Sequence, residues 1–294
     1  MSERHPIIAI TGSSGAGTSS VTRTFETILR REQIRSVTIE GDSFHRYDRN
    51  DMKVRLAAAE ASGDHNISHF GPDTNLFAEL ESLFATYARS GRGKSRKYLR
   101  EAEDAAPFGH QIGAFTEWQE LPENTDLLFY EGLHGGVVTD RVNIAQHPDL
   151  LIGVVPVINL EWIQKLWRDK AKRGYSTEAV TDTILRRMPD YAHYICPQFA
   201  RTHVNFQRVP CVDTSNPFIA REIPAPDESL VVIRFANPKG IDFQYLLSMM
   251  GDSFMSRANT IVVPGGKMEL AMQLIFTPFI LRMVERKKRA DRAM

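Results

Sequence analysis

Cysteine is scarce: Cys196 and Cys211 are the only two in 294 residues, and their spacing fits neither a metal knuckle nor a disulfide framework. A reducing, cytoplasmic setting is therefore expected. Net charge is also missing, because Lys plus Arg and Asp plus Glu are equal at 36 each. That balance argues against a nucleic-acid partner held by bulk electrostatics and confines any basic site to a local patch. No stretch approaches the roughly 18 uninterrupted apolar residues of a membrane span, and the N-terminal apolar run is broken at Gly12 too early for a secretory signal. A soluble chain with no membrane partner is expected. There is no internal repeat and no low-complexity linker, so residues 1–294 are read as one elaborated domain.

What is present begins with a β-branched run, "IIAIT", followed by a glycine-rich loop, a helix over about 18–31, and "SVTIEGD". This is a strand-loop-helix-strand unit. "DLLFYEGLHG" and "LLIGVVPVI" are near-continuous apolar runs, as central strands covered on both faces require. Alternating strands and helices predict an α/β fold: an open, mostly parallel sheet flanked by helices. Residues 51–120 are more polar and read as an insertion, with helices at about 51–62 and 74–89. The basic stretch "RSGRGKSRKYLR" that follows is read mainly as a solvated loop, with part of an anion site as the alternative. Two helices broken near "RGYST" are expected over about 159–198. An elaboration with "SLVVIRF", "TIVVPG" and a long helix from about Gly266 fills about 204–294.

The glycine loop matches the phosphate-loop pattern G-x-x-x-x-G-K-[ST] at Gly12, Gly17 and Ser19, but Thr18 occupies the lysine position. Gly12, Ser13, Ser14, Gly15, Ala16, Gly17, Thr18, Ser19 and Ser20 are the expected nucleotide-binding segment. Their backbone N–H groups converge on phosphate at a helix N-terminus. Ser19 offers a hydroxyl to Mg²⁺. A plain tight turn between strand and helix is the alternative. Without the lysine, a charge-assisted contact of roughly 1.5–3 kcal/mol is lost, so another cation must reach the transferred phosphate.

Asp42 follows the second strand, on the side of the sheet that borders the ligand crevice. A carboxylate there suits a kinase, which needs a base for an attacking hydroxyl; a turn cap is the alternative. His45, Arg46 and Arg49 follow closely, as an anionic substrate would require. Glu131 ends the third strand, where a carboxylate can assist Mg²⁺ opposite Ser19, or can be a structurally paired buried acid. In "NLEWIQKLWRDKAKRGYS", Lys165 and Asp169 lie four apart on one helix face, with Arg168, Lys172 and Arg173 nearby.

"RDKAKRG" resembles the R-D-x-x-x-R-G lid of the uridine kinase and phosphoribulokinase superfamily. With "TGSSGAGTSS", "IEGDSFHR", "LLFYEGLHG", "VPVINLEWIQK", "VDTSNPFIAR" and "SRANTIVVPGGK", nearly the whole chain resembles the bacterial-type phosphoribulokinase family, threonine in the lysine slot included. The resemblance implies ATP-dependent phosphorylation of D-ribulose 5-phosphate in the Calvin cycle. It implies Asp42 as base, and Asp169, Lys165 and Arg168 as further catalytic residues. His45, Arg49 and Arg173 are then substrate-binding, and Ser19 and Glu131 serve Mg²⁺. It also implies a homo-octamer with NADH as activator and AMP as inhibitor, with Arg31, Arg234 and Arg257 linked to the effectors; ordinary interface ion pairing is the alternative for these three. Two other readings stay open: a uridine kinase-like enzyme of the same superfamily, and a nucleotide-sensing switch.

Overall fold

The computed structural model describes residues 4–13, 18–63, 67–220 and 222–292, with the backbone alone at 18–20, 172 and 173. The chain opens with β1 (Ile7–Gly12), α1 (Thr18–Arg31) and β2 (Ser36–Glu40), the unit its apolar periodicity predicts. The insertion contributes α2 (Arg49–Ser62), α3 (Phe77–Ser90), β3 (Lys94–Ser95), α4 (Ala102–Ala105) and β4 (Gln119–Glu120). β5 (Leu127–Gly132) and β6 (Leu150–Val155) are the two apolar runs. Then come α5 (Ile158–Arg173), α6 (Thr177–Asp190) and β7 (Val204–Pro210). The chain continues with β8 (Ser229–Phe235), α7 (Phe243–Met249), β9 (Phe254–Arg257), β10 (Thr260–Pro264) and α8 (Met268–Arg292).

The strands form one eight-stranded sheet in the order β2-β5-β1-β6-β7-β8-β10-β9, with β3 and β4 pairing separately. From β2 to β7 every pairing is parallel. β8, β10 and β9 extend the sheet by antiparallel pairing.

Strand alternation sorts the core into two layers. Ile8 and Ile10 of β1 turn toward Val21, Phe25 and Ile28 of α1 and toward Met272 and Phe276 of α8. Ile7 and Ala9 turn the other way, onto Phe77, Leu80 and Phe84 of α3. Phe25 joins helix to sheet, its ring 5.3 Å from Phe129 and 4.9 Å from Phe276. Helices therefore cover both faces, and function is left to the strand ends.

Gly174, at φ +67°, closes α5 in the left-handed conformation that glycine adopts without a Cβ penalty. Ser176 then caps α6 by accepting from the Ala179 N–H. The "RGYST" break is thus a helix stop followed by a helix start.

Candidate active site at the carboxyl ends of the strands

β1 sits between β5 and β6, and the chain leaving it passes over β5 to reach β2. The order reverses at β1, so the carboxyl ends of β1, β2, β5 and β6 open onto one crevice. Gly12 ends β1 and Ser13 follows, fully buried. Ser14, Gly15, Ala16 and Gly17 lie outside the described residues, as do the side chains of Thr18, Ser19 and Ser20, whose backbone opens α1. The Ser13 hydroxyl donates to Oε1 of Glu161 on α5, and the Tyr191 hydroxyl donates to its Oε2 at 2.9 Å. Burial raises the Glu161 carboxyl above its ordinary value, against these two hydrogen bonds. Sequence reasoning missed Glu161, although it lies one helical turn before Lys165 on α5.

Asp42 lies in a short 3₁₀ turn, Gly41–Phe44, directly after β2. Its Oδ1 is 3.3 Å from His45 Nε2 and its Oδ2 is 2.9 Å from an Arg100 nitrogen. Burial works to raise the carboxyl, but the hydrogen bond and charge of His45, with Arg100, overcome it and hold Asp42 well below the usual carboxylate range. His45 is buried and directs Nδ1 at Asn75 Oδ1, 2.8 Å away. Asn75 is itself fixed by donating to the Gly71 and His69 carbonyls.

The turn is set by close backbone approach. A Cβ on Gly41 would come within 2.6 Å of the Tyr130 hydroxyl and 2.8 Å of the Gly132 Cα. Gly41→Ala is therefore expected to push the Asp42 turn off β5. We expect it to cost about 1–3 kcal/mol of stability and at least about tenfold in kcat, checked by denaturant unfolding and steady-state rates.

Most of the basic stretch before α4 is exposed, as the sequence suggests, with Arg89, Arg92, Lys94, Lys97 and Arg100 all at the surface, but Arg96 is half-buried and both it and Arg100 reach the Asp42 turn. Arg96 donates to the Ser43 carbonyl at 3.0 Å and the His45 carbonyl at 2.6 Å. Tyr98 meets the His45 ring edge-on at 6.4 Å, and Arg100 pairs with Asp42 and, at 3.4 Å, with Glu40. An extended segment puts alternate residues on one face, and charge counting alone overlooked this spacing of two. Arg49, the first residue of α2, is exposed and reaches the same segment, donating to the Arg100 carbonyl at 3.4 Å.

On α5, Lys165 Nζ is 2.5 Å from Asp169 Oδ2, and Arg168 Nε is 3.0 Å from Oδ1. Asp169 is only 2% exposed. Burial opposes its ionisation, but Lys165 and Arg168 together keep its carboxyl below the ordinary value. Burial and then Arg187 push the Lys165 ammonium down to about 8, against the pull of Asp169. His69 stands between the two halves: burial first, then Arg187 and His45, hold its imidazole well below its usual value, and Asp42 and Lys165 both act on it. Its ring lies 4.9 Å from His45. The Arg173 side chain lies outside the described residues.

Glu131, near the end of β5, is in register with Ile10 of β1 and Glu40 of β2. Burial works to lower the Arg100 guanidinium, but Asp42, Glu40 and Glu131 together raise it, so three carboxylates share one local field. Such a field fits a hard cation. Among the described residues no cluster of three or more His, Cys, Asp or Glu is gathered to hold a metal alone.

The three arginines expected to serve effectors lie away from this crevice. Arg31, at the end of α1, donates to Gln273 and Thr277 of α8. Arg234 and Arg257 are exposed and both pair in register with Thr260 of β10, one from each side. The even-numbered positions of β8 point away from the face that α8 covers, so Arg234 and Arg31 lie on opposite sides of the sheet. Cys196 and Cys211 are free and exposed. Among the described residues no helix is long and apolar enough to cross a membrane.

The model of the phosphoribulokinase/uridine kinase family matches residues 7–215. The chromosomal phosphoribulokinase of Cupriavidus necator is 79% identical over 290 residues, 99% of each chain. That of Nitrobacter vulgaris is 66% identical over 290 residues, covering 99% of this chain and 100% of its own. The solved structure of the phosphoribulokinase from Rhodobacter spheroides superposes with a TM-score of 0.90 at 58% identity, covering 98% of this chain and all of its own. The likeness runs along nearly the whole chain, and the chain belongs to the phosphoribulokinase/uridine kinase family.

Proposed function

We propose that the chain transfers the γ-phosphoryl group of ATP to the 1-hydroxyl of D-ribulose 5-phosphate, giving D-ribulose 1,5-bisphosphate for the Calvin cycle. The observation that carries this reading is the pairing of Asp42 with His45 and Arg100, together with the Lys165–Asp169–Arg168 group, since His69 feels the charge of both Asp42 and Lys165. Asp42 accepts the proton of the attacking hydroxyl. In a loose phosphoryl-transfer transition state the attacking hydroxyl keeps its proton until its bond to phosphorus has made that proton acidic, so a carboxylate of low basicity is adequate. His45, Arg49 and Arg173 bind the phosphate of the sugar substrate. Lys165 and Arg168 neutralise charge on the transferring group, in place of the lysine that Thr18 replaces in the loop.

Residues 12–20 cradle the triphosphate, and Ser19 and Glu131 would hold Mg²⁺. When bound, that ion would supply neutralisation of the phosphate charge. Asp169 holds the two lid cations in place. NADH as activator and AMP as inhibitor, with Arg31, Arg234 and Arg257 linked to them, belong to this reading. So do a homo-octamer and a cytoplasmic location.

ADP release measured with ribulose 5-phosphate and with uridine, each with and without NADH, tests it. Turnover is expected with the sugar phosphate, faster with NADH and absent with uridine. Turnover on uridine, or ADP release indifferent to any acceptor, would replace it with a nucleoside kinase or a nucleotide switch.

A further inference from the structure

The turn that carries Asp42 and His45 has little internal support. It is four residues of 3₁₀ helix, whose hydrogen bonds are poorly aligned. The His45 N–H reaches the Asp42 carbonyl at 3.1 Å, but the Ser43 and His45 carbonyls require donors from elsewhere. Both receive them from one guanidinium, that of Arg96.

The guanidinium is seated in an aromatic slot. It lies 3.7 Å above the Phe115 ring and 4.9 Å from Trp118, while Trp118 also meets Phe44 of the turn edge-on at 5.7 Å. The slot is built by the insertion: Lys94–Ser95 pairs with Gln119–Glu120, Tyr98 bridges to Phe115, and the Leu99 N–H donates to the Ala114 carbonyl at 2.9 Å. Tyr98, Arg100 and Trp118 also reach the turn, but among these side chains Arg96 is the one shown donating to its backbone carbonyls.

We propose that Arg96 is a positioning residue for the acceptor half of the site. Its planar fork grips the carbonyls of Ser43 and His45 and thereby fixes the direction in which Asp42 and His45 present their side chains. A lysine cannot substitute, since one ammonium neither spans two carbonyls as a fork nor stacks on Phe115 in the same way. Arg96 touches no reacting atom. Its effect passes through the turn, where a misplacement of about 1 Å can cost roughly 10²-fold in rate.

This inference rests on the kinase reading for its kinetic arm only. In the full-length protein, Arg96→Ala is expected to lose at least about tenfold in kcat and to leave the KM for ATP within about twofold. Ethylguanidinium, filling the slot, is expected to restore activity, whereas Arg96→Lys is expected to keep its fold and still lose at least about fivefold in kcat. Amide hydrogen exchange of a peptide covering residues 41–46 needs no substrate, and in both variants it is expected to quicken while peptides of α5 do not change.

Parental exchange over residues 41–46 overturns the proposal even if the protein proves to act on another substrate. Parental kcat in both variants, or a loss that no guanidinium restores and that α5 exchange shares, also overturns it. A parent inactive on ribulose 5-phosphate but with the expected exchange pattern in the variants would overturn only the kinase reading. If Arg96→Ala does not fold, Arg96→Lys alone decides by its exchange and its kcat.

Discussion

Asp42→Asn is expected to lose at least about 10² in kcat while still binding ATP, because a positioned general base contributes roughly 10²–10⁴-fold. The substitution is nearly isosteric, and the amide oxygen can still accept from His45 or Arg100, so the turn keeps its shape. What is lost is the ability to take a proton. Arg100 also loses its formal charge partner, with Glu40 left 3.4 Å away. The sharpest check is a pair of measurements on one preparation: single-turnover phosphoryl transfer, and ATP binding by calorimetry. A variant that binds ATP and turns over near the parental rate would remove Asp42 from the mechanism.

Lys165→Met is expected to cost about 10²–10³ in kcat, the range seen when one preorganised charge-stabilising group is removed. Arg168→Gln should act in the same direction, and the loop cannot compensate, since Thr18 brings no cation. Lys165 also predicts a pH dependence whose sign follows from its environment. Burial and Arg187 bring its ammonium down to about 8, whereas an ordinary lysine titrates near 10.4. The group is charged below pH 8 and neutral above it, so kcat/KM for ATP, which reports the free enzyme, should decline on the alkaline side with a midpoint near 8. Lys165→Arg keeps its charge at every accessible pH and should lose that decline, whatever its absolute rate. Parental kcat in both Lys165→Met and Arg168→Gln would end the argument that lid cations replace the loop lysine.

Much of the fold could be read from local pattern. The periodicity of "IIAIT", the glycine loop and the following amphipathic stretch predicts β1, α1 and β2, and α1 runs over 18–31 as expected. The break at "RGYST" was legible because Gly174 and Ser176 carry their meaning locally: one tolerates positive φ, the other caps. Strands of two residues, such as β3 and β4, carry no period to detect. The antiparallel run of β8, β10 and β9 was hidden for another reason: apolar runs identify strands, but not the direction in which they pair.

The site divides in the same way. Asp42 follows one strand, Glu131 lies near the end of another, and Lys165, Arg168 and Asp169 share one helix, so sequence alone put them at strand ends and on one helix. Arg96 and Arg100 stand in a run of basic residues, and such a run has the same composition whether it is solvated or stacked on rings. Arg96 meets Ser43 across 53 residues of chain, and Ser13 meets Glu161 across 148. What the sequence determined by itself was the set of local units: strands, caps, a phosphate-type loop and a charged helix, all specified by neighbours within a few residues. Which carboxylate each arginine meets, and which turn each carbonyl belongs to, was decided only by the tertiary structure, because charge and hydrogen bonding act between groups that folding makes adjacent.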